Sequence, residues 1–272
     1  MNPGVAVVPR GCARDGRVSI VEYRVEDHCA VITINRPEAR NAVNGAVAEG
    51  IEGAVDRAEG DDDVWLAILT GVPPVFCAGA DLKEVAAGRA NVIHTQRGGF
   101  AGFTQRERVK PVIAAVDGPA LAGGTEIVLA CDLVVASFSA TFGIPEVKRS
   151  LVAGAGGLFR LPRRIPYHLA MEVALTGARV SAMRLAEAGL INRLVPAGEA
   201  LAQARALAGE VGRNAPLSLT ASKKIMVASA DWPLAEAFDR QADIAGPVFF
   251  SADAMEGAVA FAEKRPPVWR GE

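Results

Sequence analysis

Four short β-branched apolar runs, at residues 30–34, 64–69, 112–116 and 133–136, are bounded by turn residues such as Asn35-Arg36-Pro37 and Asp117-Gly118-Pro119. They predict buried strands. Between the first two, Val47, Ile51, Ala54, Val55 and Ala58 recur at helical spacing, with Glu49, Glu52, Asp56 and Arg57 on the opposite face. That pattern predicts an amphipathic helix, and strands alternating with helices imply an α/β fold. After about residue 198 the strand signals stop, and helical patterns take over at residues 200–212, 216–228 and 251–264. The chain therefore divides into an N-terminal extension (1–17), an α/β core (18–198) and a smaller helical C-terminal region (199–272). In the last helix Ala254, Met255, Ala258, Phe261 and Ala262 make a broad apolar stripe that needs cover, before Pro266-Pro267 end the run.

Composition narrows the partners. A chain of 272 residues that is 50% apolar can bury a full core. With 29 basic and 31 acidic residues, its net charge of -2 supplies no global field toward nucleic acid or an anionic membrane, which leaves a small molecule as the expected partner. No apolar stretch reaches the roughly 18 residues of a membrane span. The first residues lack the basic start of a signal peptide and read as a loose extension. Cys12, Cys29, Cys77 and Cys131 lie far apart without a CxxC pair, the usage of reduced thiols in a cytoplasmic protein. His28, His94 and His168 are isolated and none begins an HExxH pattern, so no metal is expected. Asp61-Asp62-Asp63 reads as a solvated loop, because no spaced ligands follow it.

Candidate chemistry sits in three segments. Residues 75–84 place Ala78, Gly79 and Ala80 before a helix start at Asp81, where small residues admit a ligand and unpaired backbone N–H groups can bind an anionic oxygen. A glycine turn chosen for tight packing explains this segment equally well. Residues 112–131 repeat the arrangement: a strand, a turn, then Ala122-Gly123-Gly124-Thr125-Glu126 opening an apolar helix that reaches Cys131. Two such starts could converge on one oxygen, although Glu126 has a plain explanation as a charge favoured by its own helix N-terminus. The third segment puts Glu146 in an apolar, turn-forming stretch before the glycine-rich residues 153–157. Salt bridging to Lys148 or Arg149 is its plain explanation.

The runs ITINRPEARNAVN, VFCAGADLKE, VDGPALAGGTEIVLACDLVVAS, FGIPEVKRSLVAGAGG and SADAMEGAVAFAEKRPP, in that order over residues 18–270, resemble the motifs of the crotonase (enoyl-CoA hydratase/isomerase) superfamily. The resemblance implies a crotonase-like α/β spiral of repeated ββα units followed by the helical C-terminal region. It implies an enoyl-CoA hydratase in which the backbone N–H groups of Ala80 and Gly123 form an oxyanion hole for the thioester oxygen, with Glu126 and Glu146 as the acid/base pair. Glu38, Ala39, Arg40, Ala78, Asp81, Leu82, Lys83, Phe261 and Lys264 would line the path of coenzyme A, which enters as part of an acyl-CoA substrate rather than as a permanent cofactor. It also implies homotrimers, often paired into hexamers, with the C-terminal helices at subunit contacts. Two positions depart from the usual pattern: Ala122 replaces a glycine, and residues 151–153 stand where many hydratases have a proline. The second puts acyl-chain preference in doubt rather than the chemistry.

Three rivals frame this expectation. A 3,2-enoyl-CoA isomerase or carnitinyl-CoA-like dehydratase would use the same fold, and isomerisation needs only one acid/base group. A dinucleotide-binding oxidoreductase fails because Phe159 occupies the last glycine position of a GxGxxG run that lies far from the first strand. A non-catalytic binding protein stays open, since fold alone never proves function.

Overall fold

Residues 19–272 are described in this computed structural model; the extension expected over residues 1–17, and Cys12 within it, lie outside the described residues. In chain order the elements are β1 (Val21–Glu26), β2 (Cys29–Ile34), α1 (Gly45–Glu59), β3 (Leu66–Gly71), α2 (Leu82–Ala86), β4 (His94–Thr95), β5 (Gly99–Phe100), β6 (Val112–Val116), β7 (Ala120–Leu121), α3 (Gly123–Leu129), β8 (Leu133–Ser137), β9 (Thr141–Gly143), α4 (Gly157–Arg164), α5 (Tyr167–Thr176), β10 (Val180–Ser181), α6 (Ala182–Glu187), β11 (Arg193–Val195), α7 (Ala200–Val211), α8 (Pro216–Ala228), α9 (Leu234–Phe249) and α10 (Ala252–Glu263).

β1 and β2 pair as an antiparallel hairpin whose turn residues, Asp27 and His28, both take positive φ, a geometry matched to the twist of the flanking strands. The large sheet continues β1-β2-β3-β6-β8-β11, with every pairing after the hairpin parallel. A parallel sheet needs crossovers and cover on both faces. Alternate side chains divide accordingly. Ala30, Ile32, Ile34, Leu69, Ala114 and Val134 join a core with Val47, Ile51 and Val55 of α1. Val31, Leu66, Ile68, Ile113 and Val135 join a second core on the other face with Ala200, Ala204 and Ala208 of α7. The alanines lie four apart, so the smallest face of α7 meets the sheet.

β2, β3, β6 and β8 are each followed by a short segment in a second ladder. Isolated parallel bridges join Val43 to Ala80 and Cys77 to Ala120, β7 pairs with β9 in parallel, and β10 closes the edge. The chain thus coils through repeated units of long strand, short strand and helix, and each short segment delivers it into a helical start at Gly45, Leu82, Gly123 or Pro145. Those starts become neighbours along one edge of the spiral.

Two expectations shift. The helix after Gly123 ends at Leu129 with Ala130 as its cap, two residues short of Cys131, and the second core strand begins at Leu66 rather than Val64. The segment from 234 to 249 is also helical, as α9, although Gly246 and Pro247 lie inside it. Lys223 fastens α8 to the core, pairing with Asp132 at 2.8 Å and donating to the Lys110 carbonyl at 2.7 Å. The C-terminal tail folds back on α10, where Asp253 accepts from the N–H groups of Arg270 and Gly271. Phe238, Phe250 and Phe261 nevertheless stand 79%, 92% and 87% exposed, which marks the surface of α9 and α10 as an uncovered apolar face. Among the described residues no single helix is long and apolar enough to cross a membrane.

Candidate active site

The two predicted donor turns touch. Gly79 sits at φ +91, and a Cβ there would lie 2.8 Å from the Ala122 Cβ and 3.0 Å from the Gly123 nitrogen. The bridge between Val43 and Ala80 uses the Val43 N–H on the Gly79 carbonyl and the Asp81 N–H on the Val43 carbonyl. It leaves the Ala80 N–H without a protein acceptor among the described residues. Gly123, the first residue of α3, is in the same condition, because a first-turn N–H has no partner within its helix. Ala122 before it is held at φ 52 and ψ -127, a conformation costly for alanine that the surrounding ladder enforces through its N–H bond to the Gly143 carbonyl at 2.8 Å. The Phe100 ring lies where a Cβ on Gly123 would be, so only glycine fits.

The Ala80 turn is braced from behind. Asp81 accepts from the Lys83 N–H at 2.9 Å, capping α2, and from Arg36 Nη1 at 2.7 Å, while Arg36 also donates to the Ala42 carbonyl. Burial pushes the Asp81 carboxyl up, but the Arg36 guanidinium and the Lys83 N–H outweigh it and hold it below the usual carboxylate range. Buried Asn41 completes the brace by donating to the Val72 and Val75 carbonyls and accepting from the Arg36 N–H.

Glu126 is 3% exposed on the first turn of α3, yet it does not cap its own helix. Its Oε1 accepts from the N–H groups of Ala155 at 2.7 Å and Gly157 at 2.9 Å, at the start of α4, where Gly156 turns the chain at φ +103. The plain helix-terminal reading of Glu126 is thereby replaced: its carboxylate meets the positive end of a different helix. Gly157 admits it closely, since a Cβ there would stand 3.1 Å from Glu126 Cγ. Burial pushes the Glu126 carboxyl up, and the two N–H groups and the Arg160 charge only partly offset it.

Glu146 arrives on the 3-10 turn Pro145–Arg149. Its Oε2 is buried with no hydrogen-bond partner, and no ion pair joins it to Lys148 or Arg149 among the described residues, so the salt-bridge explanation fails. Burial pushes this carboxyl up as well; its own N–H and Arg149 pull down, and the charge of Glu126 pushes it further up. The two carboxyls therefore resist being ionised together. Among the described residues no three His, Cys, Asp or Glu side chains gather to hold a metal ion.

Of the positions expected along a nucleotide path, the turn carrying Glu38, Ala39 and Arg40 packs against Ala78, whose N–H donates to the Arg40 carbonyl at 3.1 Å. Leu82 and Lys83 follow on the exposed face of α2, and the Arg40 and Lys83 side chains are exposed. Phe261 and Lys264 stand apart on α10, and no hydrogen bond or ion pair ties either side chain to this cluster. Arg36, Asn41, Ala155, Gly157 and Arg160 also serve the site, and no motif in the sequence assigns them a role. For Ala155 and Gly157 a signal existed, namely a glycine-rich run a few residues after an unexplained acid.

The enoyl-CoA hydratase/isomerase family profile matches residues 24–272. The enoyl-CoA hydratase EchA19 of Mycobacterium tuberculosis is 42% identical over 259 residues, covering 93% of this chain and 96% of that protein. A carnitinyl-CoA dehydratase of Proteus mirabilis is 38% identical over 246 residues, covering 88% and 94%. The crystal structure of a probable enoyl-CoA hydratase/isomerase from Mycobacterium abscessus superposes with a TM-score of 0.90 at 54% identity, covering 94% of this chain and 100% of that one.

Proposed function

The chain belongs to the enoyl-CoA hydratase/isomerase family and carries its crotonase fold, and on that premise we propose that it is an enoyl-CoA hydratase whose chemistry runs through Glu126, Glu146 and the backbone of Ala80 and Gly123. The observation that carries this reading is the presence of a buried carboxyl, Glu126, facing a half-buried one, Glu146, whose Oε2 is buried without a partner, together with two N–H groups that have no protein acceptor among the described residues.

Adding water to the 2,3-double bond forms a C–O bond at C3 and shifts charge through the conjugated system onto the thioester oxygen. The Ala80 and Gly123 N–H groups meet that oxygen as the charge develops, and losing one such donor typically costs about 3 kcal/mol. Glu126, held by two N–H groups, is the carboxylate that stays ionised and takes the proton from water. Glu146, with an unpaired oxygen beside that charge, stays protonated and gives its proton to C2, yielding the 3-hydroxyacyl-CoA. Isomerisation would need one of these groups, not both. Dehydration runs the same bond changes backward, and the relative named carnitinyl-CoA dehydratase keeps it as the second reading.

The same proposal places the coenzyme A part of the substrate along Glu38, Ala39, Arg40, Ala78, Asp81, Leu82 and Lys83, with Arg40, Lys83 and Lys264 available to its phosphates. It makes the protein a homotrimer or a pair of trimers, because Met255 and Phe261 on α10 present an apolar face that a second copy would cover and that would bring Phe261 and Lys264 to a neighbouring site. Free, buried Cys29, Cys77 and Cys131 favour a cytoplasmic setting. The test is loss of enoyl absorbance with crotonyl-CoA and longer or branched enoyl thioesters, with carnitinyl-CoA run in the dehydration direction. Hydration of at least one enoyl thioester is expected; no turnover across the panel overturns the reading. Light scattering that returned the monomer mass of 28.3 kDa at micromolar concentration would overturn the assembly.

A further inference from the structure

Arg160, at the end of the first turn of α4, is a half-buried cation that the acid/base chemistry does not use directly. Its Nη1 donates to the Ala155 carbonyl at 3.0 Å and its Nη2 to the Thr104 carbonyl at 2.6 Å. Ala155 is the residue whose N–H holds Glu126. Thr104 closes the segment that presses Phe100 against Gly123. One planar guanidinium thus ties the loop that grips the carboxylate to the loop that backs an oxyanion donor, and the missing Cβ of Gly156 leaves the space it occupies.

We infer that Arg160 is a positioning residue of the hydration site, which fastens these two loops together and sets a fixed positive charge behind Glu126. The inference rests on the hydratase reading for its catalytic meaning. Its geometry separates it from Arg108, which donates only to the Phe103, Arg106 and Ala130 carbonyls and lies over the Phe103 ring, a purely structural set of contacts. Among the described residues the charge acting on Glu126 is that of Arg160, and those acting on Glu146 are Glu126 and Arg149 of its own turn, while Arg108 ahead of β6, Arg164 of α4 and Cys131 after α3 face Arg160 itself. Arg160 is the cation among them whose charge favours ionised Glu126. Lysine cannot replace it fully, because a single nitrogen lacks the rigid fork that reaches two carbonyls.

The test labels glutamate carboxyl carbons with 13C, identifies the Glu126 signal by its loss in Glu126→Gln, and titrates it in the wild type, Arg160→Gln, Arg160→Lys and Arg163→Gln. In Arg160→Gln the Glu126 midpoint moves to higher pH, and the acid limb of crotonyl-CoA hydration moves with it. kcat falls by about 10-fold or more while KM changes little, as expected when a group acts through orientation. Arg160→Lys keeps a near-wild-type midpoint but a reduced kcat. Arg163→Gln, which removes an exposed charge from the same helix, leaves both unchanged. An unmoved midpoint in Arg160→Gln overturns the charge role. If that variant does not fold, a wild-type kcat in Arg160→Lys overturns the positioning role. Failure of the wild type to hydrate any enoyl thioester would count against the hydratase reading, while the carboxyl titration would still decide the placement of Arg160's charge.

Discussion

Glu126 and Glu146 enter the same interior from two different turns, one at the head of α3 and the other on the 3-10 turn after β9, and burial pushes both carboxyls up. Their partners differ. The first has an oxygen seated between two N–H groups at the start of α4, with Arg160 behind it. The second has an oxygen buried without any partner among the described residues, and the charge of Glu126 acts on it more strongly than that of Arg149. Two side chains of one type, both pushed up by burial, are thus pulled back to different degrees by their hydrogen bonds and neighbouring charges, since donors and a cation favour the ionised form while an unpaired buried oxygen beside an anion favours the protonated one. A hydration site needs that asymmetry, because one group must accept a proton while the other delivers one.

The largest effect that could break the comparison comes from removing the exchangeable proton at either position. Glu126→Gln and Glu146→Gln should each lower kcat for crotonyl-CoA by roughly 10² to 10⁴-fold with KM little changed. The double variant should lose much less than the product, because the pair acts on one water and one proton. Steady-state hydration by the three variants checks this, and a Glu146→Gln enzyme working at the wild-type rate would remove Glu146 from the mechanism.

A smaller effect isolates the seat of Glu126. Gly157→Ala places a methyl 3.1 Å from Glu126 Cγ and 3.2 Å from Oε1, so the carboxylate must shift by a few tenths of an ångström. Misplacement of that kind should lower kcat by about 10-fold or more. Gly154→Ala, on the same loop, meets nothing nearer than the Val152 carbonyl at 3.8 Å and should keep wild-type kinetics. Equal loss in both variants would mean that the loop's flexibility, rather than the seat, matters.

The seat is also the part that the sequence did not disclose. The core strands were readable because residues buried on both sheet faces leave unbroken apolar runs, and β6 matches its run from Val112 to Val116. Glu126 and Glu146 were readable through ordered motifs. Their surroundings were not, since the two N–H groups that hold Glu126 lie 29 and 31 residues away and become neighbours only when α4 packs on α3. The salt bridge expected for Glu146 failed for a local reason: the turn that carries it sends Lys148 and Arg149 outward. β1 was missed although Val21, Tyr23 and Val25 alternate with Glu22, Arg24 and Glu26, a period-2 signal in plain view. α9 was missed because Gly246 and Pro247 read as breakers, and no residue of that helix is buried within this chain to mark a core face.

The smallest effect concerns stability and sharpens the comparison by its sign. A carboxyl whose folded pKa is raised is as favourable as its unfolded counterpart only while both are protonated. That contribution is fully present below the unfolded pKa and is lost as pH rises through the raised folded one. Glutamine does not ionise and escapes the loss. Glu146→Gln should therefore melt at a higher temperature than the wild type at pH 7 to 8, by on the order of 2 °C, and the difference should fade below about pH 4. Glu126→Gln starts from the same sign, because burial raises that carboxyl too. It also weakens two charge-assisted N–H bonds, each worth more to a carboxylate than to an amide oxygen. Its gain at neutral pH should be smaller than that of Glu146→Gln, or reversed. Melting curves of the three proteins from pH 4 to 8 decide the matter: equal, pH-independent shifts in both variants would show that the two turns treat their carboxyls alike.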